Sequence, residues 1–335
     1  MDDMLTESIE RLLAEQCDAA VVRKIEAGEP AAALWEQLQA SGFTDALVPE
    51  EAGGAGLALR DVTGLVLACG RHLLPLPLAQ TLVARGELSR VGVSMPDGPI
   101  AFAEQLRRTP ESALVAHAVP FGLTAEWVWA ATDEEDLLLP LADAIRTRSG
   151  GHHSLHEDVR WPALPAEAVR LPARLDLRAT GAALAAGLLA GAMERAGEMA
   201  IGYANDRVQF GKPIGKLQAI QQQLSVMCEQ MYAARSAALL GLSSADHRVD
   251  RLRAAVAKSR ASEAATTVAA VSHAVHGAIG ITAEYDLQLF TRRLYEWRRD
   301  HGGEGAWHRE LGEAVLASTA KPLEFARGTL APVLT

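Results

Sequence analysis

The stretch NDRVQFGKPIGKLQAIQQQ, residues 205–223, changes character half-way along. Its first part is polar, the step Phe210-Gly211-Lys212-Pro213 breaks the pattern, and the glutamine-rich remainder is periodic. Glycine commonly closes a helix and proline commonly opens one, so Gly211 and Pro213 predict the end of one helix and the start of the next. Leu217, Ile220, Leu224, Met227, Met231, Ala234 and Ala238 then alternate spacings of three and four, a heptad seam that demands a packed partner helix. Val268, Val271, Val275 and Ile279 form a second stripe, and Leu287, Phe290, Leu294 and Trp297 a third. Gly187 and Gly191 would let a neighbouring helix come close. Residues 177–335 therefore read as a bundle of four or more long helices.

Residues 96–176 differ: prolines recur, and short apolar runs such as Ala113-Leu114-Val115 and Trp127-Val128-Trp129 lie between turn residues, as in a small β domain. Ser149-Gly150-Gly151 and the histidines after it read as an exposed loop. Residues 1–95 return to helix, with Leu5, Ile9, Leu12 and Leu13, then Leu34 and Leu38, at helical spacing. Pro49 and Gly53–Gly56 mark a loop, and a helix from Arg60 to Leu74 ends at Pro75 and Pro77. The fold class expected is mainly α with a small β domain.

The chain has 335 residues, 49% of them hydrophobic, enough for a sizeable core. Its formal net charge of −10 argues against a general nucleic-acid binder. Cys17, Cys69 and Cys228 are few and scattered, which predicts a reducing, cytoplasmic setting without a disulfide framework or zinc site. The acidic N-terminus is wrong for a signal or transit peptide. Residues 179–193 and 264–283 are apolar, but the first is too short for a bilayer and the second carries Ser272, His273 and His276, so both read as buried helices rather than a membrane span.

The 205–218 corner holds a guanidinium, amides and an aromatic ring. Arginine pairs with phosphate oxygens in a two-pronged geometry, an amide can read an adenine edge, and a phenyl ring offers a flat apolar face. Arg207, Gln209 and Phe210 thus suit the ADP part of a nucleotide cofactor. The plainer alternative is an Arg207 that caps a helix end and a Phe210 that staples the corner.

Three motifs bear on that choice. Arg207-Val208-Gln209-Phe210-Gly211-Lys212-Pro213-Ile214 followed by Gln218, Val275-His276-Gly277-Ala278-Ile279-Gly280-Ile281-Thr282 followed by Glu284-Tyr285-Asp286-Leu287, and Val48-Pro49-Glu50-Glu51-Ala52-Gly53-Gly54-Ala55-Gly56 occur in that family's arrangement: the chain resembles the acyl-CoA dehydrogenases. Together they are specific, and with the helix–β–helix layout they cover most of the chain. The resemblance implies an N-terminal helical domain, a contracted middle β domain and a C-terminal four-helix bundle. It implies FAD bound between subunits, with Arg207, Gln209, Phe210 and Gln218 on the ADP part of a flavin held mainly by a neighbour. Gly277 and Ala278 stand where the family's glycine turn packs on the same moiety. Ala274 stands where the family has glutamine, so one polar contact is lost. The family's reaction is α,β-dehydrogenation of an acyl-CoA, a carboxylate taking the α proton while hydride passes to the flavin, with electrons going on to an electron-transfer acceptor.

The chain departs from the family where the base belongs. The Glu of the family's Tyr-Glu-Gly step falls on His301 within Asp300-His301-Gly302, and Glu304 lies three residues on, usable only if the loop shifts. The alternative place, on the preceding helix, falls near Gly181. The flavin-wrapping steps of the β domain have no counterpart. These absences resemble the shorter chains of heteromeric acyl-CoA dehydrogenases, such as those of steroid side-chain breakdown, as does the ending Gly305-Ala306-Trp307-His308-Arg309-Glu310. Two readings stay open: an active subunit with Glu304 or His301 as base, and a non-catalytic partner that completes a neighbour's flavin site. A helical scaffold without flavin fits the Arg207–Gln218 motif poorly. Homo- or hetero-tetramer-like assembly with a family subunit is expected from the seam and the small-residue face.

Other candidates are weaker. His152, His153 and His156 have a spacing that could ligate a metal, but beside Gly150-Gly151 a solvated loop is the reading preferred. Arg292, Arg293, Arg298 and Arg299 could meet CoA phosphates, yet they alternate with an apolar stripe and read as an exposed helix face. Cys228 reads as packing. Gly53–Gly56 lacks the βαβ setting of a dinucleotide fingerprint. His276, at a helix end, reads as a cap or a site residue.

Overall fold

A computed structural model describes residues 2–172 and 174–330. They fall into two compact units: the chain up to Leu65 with Leu74–Gly181 and Ser244–Arg248, and Val66–Leu73 with Ala182–Ser243 and the described residues from Val249 on.

The first unit opens with α1 (Asp2–Gln16), α2 (Ala19–Ala27) and α3 (Ala32–Ala40). Asp18 caps α2, its carboxylate accepting from the Val21 N–H at 2.8 Å. The periodic Ile9, Leu13, Leu34 and Leu38 are all buried. α4 (Thr63–Arg71) passes into the second unit at Val66, and the first unit resumes with α5 (Leu78–Arg90), which is buried from Leu78 to Leu88. All-round burial leaves α5 no stripe, which is why periodicity does not single it out.

Eight strands follow: β1 (Ile100–Ala103), β2 (Arg107–Arg108), β3 (Leu114–Val119), β4 (Trp127–Ala131), β5 (Asp136–Pro140), β6 (Ile145–Arg148), β7 (Glu157–Trp161) and β8 (Val169–Leu171). They make two four-stranded sheets, β1-β4-β5-β8 and β2-β3-β7-β6, antiparallel except for the parallel β1–β4 pair. Val128, Leu137 and Leu139 of one sheet share a buried cluster with Leu114, Ala116, Val159 and Trp161 of the other. Asp136 is wholly buried. It accepts from Trp129 Nε1 at 3.0 Å and the Leu175 N–H at 3.0 Å, and pairs with Arg174 at 3.3 Å. The loop after β6 is exposed as expected at Gly150, Gly151 and His152, but its end is not: Ser154, Leu155 and His156 are buried, and the Ser154 hydroxyl lies 2.9 Å from His156 Nδ1. Among the described residues no group of three His, Cys, Asp or Glu side chains is placed to hold a metal.

The second unit is helical. α6 (Leu177–Asp206) enters it at Ala182, and residues 182–193 are buried without interruption. Small residues permit this. A Cβ on Gly191 would stand 1.9 Å from the Leu67 carbonyl oxygen, where the sequence predicted a close approach, and one on Gly70, which sequence reading did not single out, would stand 2.1 Å from that of Leu188. α7 (Gln218–Gly241) packs along α8 (Arg251–His276), which also contacts α9 (Leu287–Trp297) and α10 (Glu304–Ala317). The α7 seam is fully buried at Met227, Ala234 and Ala238 but only partly at Leu217, Ile220, Leu224 and Met231. Arg251–Ile281 is long and apolar enough to cross a bilayer by length and composition alone. Within the unit it is the central helix, capped by Asp250 on the Arg253 N–H and burying Lys258. The α8 stripe stops at Val275; Ile279 falls in a short turn after the helix and is 43% exposed. In α9 the stripe Leu287, Phe290, Leu294 and Trp297 is buried as expected. Its arginines are not one exposed face: Arg293 is 2% exposed and ion-paired with Glu296, Arg292 bonds Gln288, and Arg299 is exposed. The Arg293–Glu296 pair lets a guanidinium enter the interior with its charge matched.

Candidate functional site

A two-stranded hairpin, and not a direct helix-to-helix joint, forms the 205–218 corner. Val208–Gln209 (β9) pairs antiparallel with Lys212–Pro213 (β10), and α7 begins only at Gln218. Phe210 and Gly211 are the two turn residues, both with positive φ, 51° and 75°. A two-residue hairpin with that geometry follows the right-handed twist of its strands. The Arg207 N–H donates to Tyr203 O at 2.9 Å, and the Ile214 N–H to Arg207 O at 2.8 Å, so the hairpin is tied to the last turn of α6. Phe210 is 86% exposed and therefore staples nothing. Among the described residues the Arg207 guanidinium has no hydrogen bond or ion pair, so it does not cap a helix either. Gln209 and Gln218 are exposed as well.

The second corner lies at the end of α8. Gly277, at φ 65° and ψ −143°, ends the helix in a conformation open to glycine and strained for other residues. Ala274, Gly277 and Ala278 are exposed, whereas His276 is 3% exposed. His276 Nδ1 lies 2.7 Å from Ser272 O, and Nε2 3.1 Å from the Tyr285 hydroxyl. A carbonyl can only accept, so Nδ1 carries the hydrogen, and in the neutral ring Nε2 accepts from Tyr285. The imidazole is held below its ordinary pKa, chiefly by burial, with the Ser272 bond opposing and His273 adding to the shift. The Tyr285 hydroxyl is pushed up, first by burial and then by Tyr203 and Asp286. Tyr203 of α6 stacks on His276 at 4.6 Å between ring centres. The structure thus brings the two motif corners together through His276 and two tyrosine rings to which sequence reading gave no role. Tyr203 sits one helical turn before Arg207, and that spacing was the only signal.

The third corner joins α9 to α10. Glu304 is the first residue of α10 and accepts from both Arg298 Nε and Nη2. Burial alone would raise its pKa. The Arg298 hydrogen bond, its own backbone N–H and the charges of Arg298 and Lys258 outweigh that and hold the carboxyl below its usual range. His301 has φ 56° and is 5% exposed, and its carbonyl accepts from Trp307 Nε1 at 2.9 Å. Lys258, fully buried, donates from Nζ to Trp297 O, to Arg298 O at 3.0 Å and to Ser262 Oγ at 3.3 Å. It fills carbonyls that the end of α9 leaves without intrahelical donors. Sequence reading missed Lys258, although it is the lone lysine in a long apolar helix. The Gly302-Gly303 step is thus bounded by fixed groups, and Glu304 would have to break its Arg298 pair to act elsewhere. Gly181 is buried within α6 and carries no functional group.

The residues present fit the ADP end of FAD by chemistry: an unengaged guanidinium for the pyrophosphate, two exposed amides and a bare phenyl face. Ala274 contributes only a methyl group.

Family models agree with this layout. The acyl-CoA dehydrogenase N-terminal domain matches residues 2–94 and the acyl-CoA dehydrogenase C-terminal domain residues 178–311. The acyl-CoA dehydrogenase IpdE2 of Mycobacterium tuberculosis is 33% identical, over 87% of this chain and 90% of the relative. Among solved structures, a chain of the ChsE4–ChsE5 complex of Mycobacterium tuberculosis superposes with TM-score 0.80 at 21% identity, covering 95% of this chain and 98% of that one. A variant of the Tcur3481–Tcur3483 steroid ACAD gives 0.81 at 23% identity, covering 94% and 97%. The chain belongs to the acyl-CoA dehydrogenase family, as a dehydrogenase of acyl-CoA thioesters or a subunit of one.

Proposed function

We propose that this chain is the partner subunit of a heteromeric FAD-dependent acyl-CoA dehydrogenase, completing a flavin site that a neighbouring family subunit largely builds. The observation that carries this reading is the Arg298–Glu304 pair. General-base catalysis is most effective when the pKa lies near the working pH. Glu304 is pulled the other way and held by two charge-assisted bonds, while His301, at the family's base position, is buried. Arg207 would meet the pyrophosphate, Gln209 and Gln218 the polar edges of the ADP moiety, and Phe210 a flat face, with Gly277 and Ala278 closing on the same end. FAD, when bound, supplies the hydride acceptor for desaturation. This chain's residues bind and orient its ADP end and leave proton abstraction to the neighbour.

Assembly as a tetramer-like complex with a family subunit is supported by apolar groups left outside on the second unit, Phe210, Tyr232 and Ile281, each more than 70% exposed. Likeness to a steroid ACAD supports a bulky, polycyclic acyl-CoA as substrate, with electrons passing to a downstream electron-transfer acceptor. The few, scattered cysteines Cys17, Cys69 and Cys228 support a cytoplasmic setting, and the −10 net charge supports no role with nucleic acid.

The test is purified protein, alone and co-expressed with a family subunit, supplied with FAD, an artificial electron acceptor and short, medium and steroid-like acyl-CoA esters. Flavin uptake and turnover are expected only with the partner, surviving both Glu304→Gln and His301→Ala. Turnover by this chain alone, abolished by Glu304→Gln, would refute the reading and make Glu304 the base. Loss with His301→Ala alone would assign that role to the histidine.

A further inference from the structure

Each motif corner ends in an exposed turn, and the last inward-facing rings before those turns touch each other. Tyr203 precedes Arg207 by one helical turn, and its carbonyl holds the Arg207 amide at 2.9 Å. A displacement of Tyr203 is therefore a displacement of Arg207. His276 directly precedes Gly277, and the turn after it folds back so tightly that a Cβ on Gly280 would stand 3.0 Å from the His276 Cβ. The Tyr203 and His276 rings are stacked at 4.6 Å and 30°, and Tyr285 closes the group at 5.0 Å from His276 and 6.4 Å, edge-on, from Tyr203. The Ser272 bond fixes the ring so that Nε2 faces the Tyr285 hydroxyl. Around it, Ser272 reaches Met227 of α7 and His273 reaches Thr291 of α9, so the end of α8 is anchored on three sides.

We propose that Tyr203, His276 and Tyr285 form a strut that sets the separation of the Arg207 corner from the Gly277–Ala278 turn, so that both engage the ADP end of one flavin. The proposal rests on the flavin-binding reading above. Two-pronged phosphate pairing tolerates little displacement, and a binding group must be held to within about 0.5 Å by the shell behind it. These three are positioning residues. They stand behind the binding groups, and the stack is the link between two loops that otherwise belong to different helices.

The experiment uses the full chain, alone and co-expressed with a family subunit. It measures ADP affinity by calorimetry, FAD retained after dialysis, and the melting temperature of the flavin-free protein. Tyr203→Phe keeps the stacking ring and should match wild type. Tyr203→Leu removes the stack, and Tyr285→Phe deletes one hydroxyl; each should weaken ADP binding about three- to tenfold. Flavin retention should fall in step, with the melting temperature of Tyr285→Phe close to wild type. A lower melting temperature with unchanged ADP affinity in the folded protein means packing only and overturns the strut. Wild-type uptake of FAD with both variants unaffected also overturns it, while leaving the flavin reading intact. A wild type that takes up neither FAD nor ADP, even with the partner, removes both together. Should Tyr203→Leu fail to fold, Tyr285→Phe carries the test.

Discussion

Replacing Arg298 with Gln cuts the tie that fixes Glu304. In the native corner the two side chains are 32% and 26% exposed and meet through two bonds to one guanidinium. A hydrogen bond to a charged group contributes about 1.5–3 kcal/mol when well buried, and an exposed ion pair about 0–1 kcal/mol. Partial exposure places this pair between them, at about 1–2 kcal/mol. At about 2–4 °C per kcal/mol for a large domain, Arg298→Gln should lower the melting temperature by about 2–8 °C at pH 7. The pH dependence gives a second check. Glu304 has a folded-state pKa below its unfolded one, so the stabilisation is fully present above the unfolded value, about 4.3, and is lost as pH falls through the folded value. The gap between wild type and variant should be flat from pH 6 to 8 and close in the acid range below about pH 4. Calorimetric melts of both proteins across that range measure it. A gap as wide under strong acid as at neutrality, or no gap at pH 7, refutes the argument that Arg298 holds Glu304 ionised and in place.

Three further outcomes follow from the geometry. Arg207→Ala should weaken flavin retention by roughly tenfold to a hundredfold, the cost of a charge-assisted phosphate contact, and leave the melting temperature unchanged, because the guanidinium has no partner among the described residues. Unchanged flavin content after dialysis would count against the cofactor role. Phe210→Gly should hold or raise the melting temperature by relieving a left-handed φ of 51° at an 86% exposed site, while lowering flavin retention; a clear loss of stability would show that the ring packs in solution. Gly191→Leu should destabilise by about 3 kcal/mol or more, since its Cβ meets the Leu67 carbonyl oxygen at 1.9 Å, and a denaturant titration showing less than about 1 kcal/mol would mean the helices can part at low cost.

Local pattern determined a good part of this protein. The α9 stripe Leu287–Trp297, the strand runs at Leu114 and Trp127, the small residues at Gly187 and Gly191 and the motif around Arg207 are all legible because each depends on neighbours within a turn or two of chain. Helical and strand periods show which face of an element is apolar, and a glycine shows where backbones can meet. They do not show which distant polar group will be waiting inside. His156 is buried because Ser154 turns to meet it, Arg293 because Glu296 does, and Lys258 because the end of α9, some forty residues on, leaves carbonyls without donors. Phe210 belongs to the opposite case: its ring could have been a buried staple or an open face for a cofactor, and the hairpin turned it outward. Glu304 was legible as a carboxylate near the expected base, but its engagement by Arg298 was not, since only folding sets the direction of both side chains. The Tyr203–His276–Tyr285 stack joins residues 73 and 82 positions apart in the chain, a proximity that only the packed bundle creates.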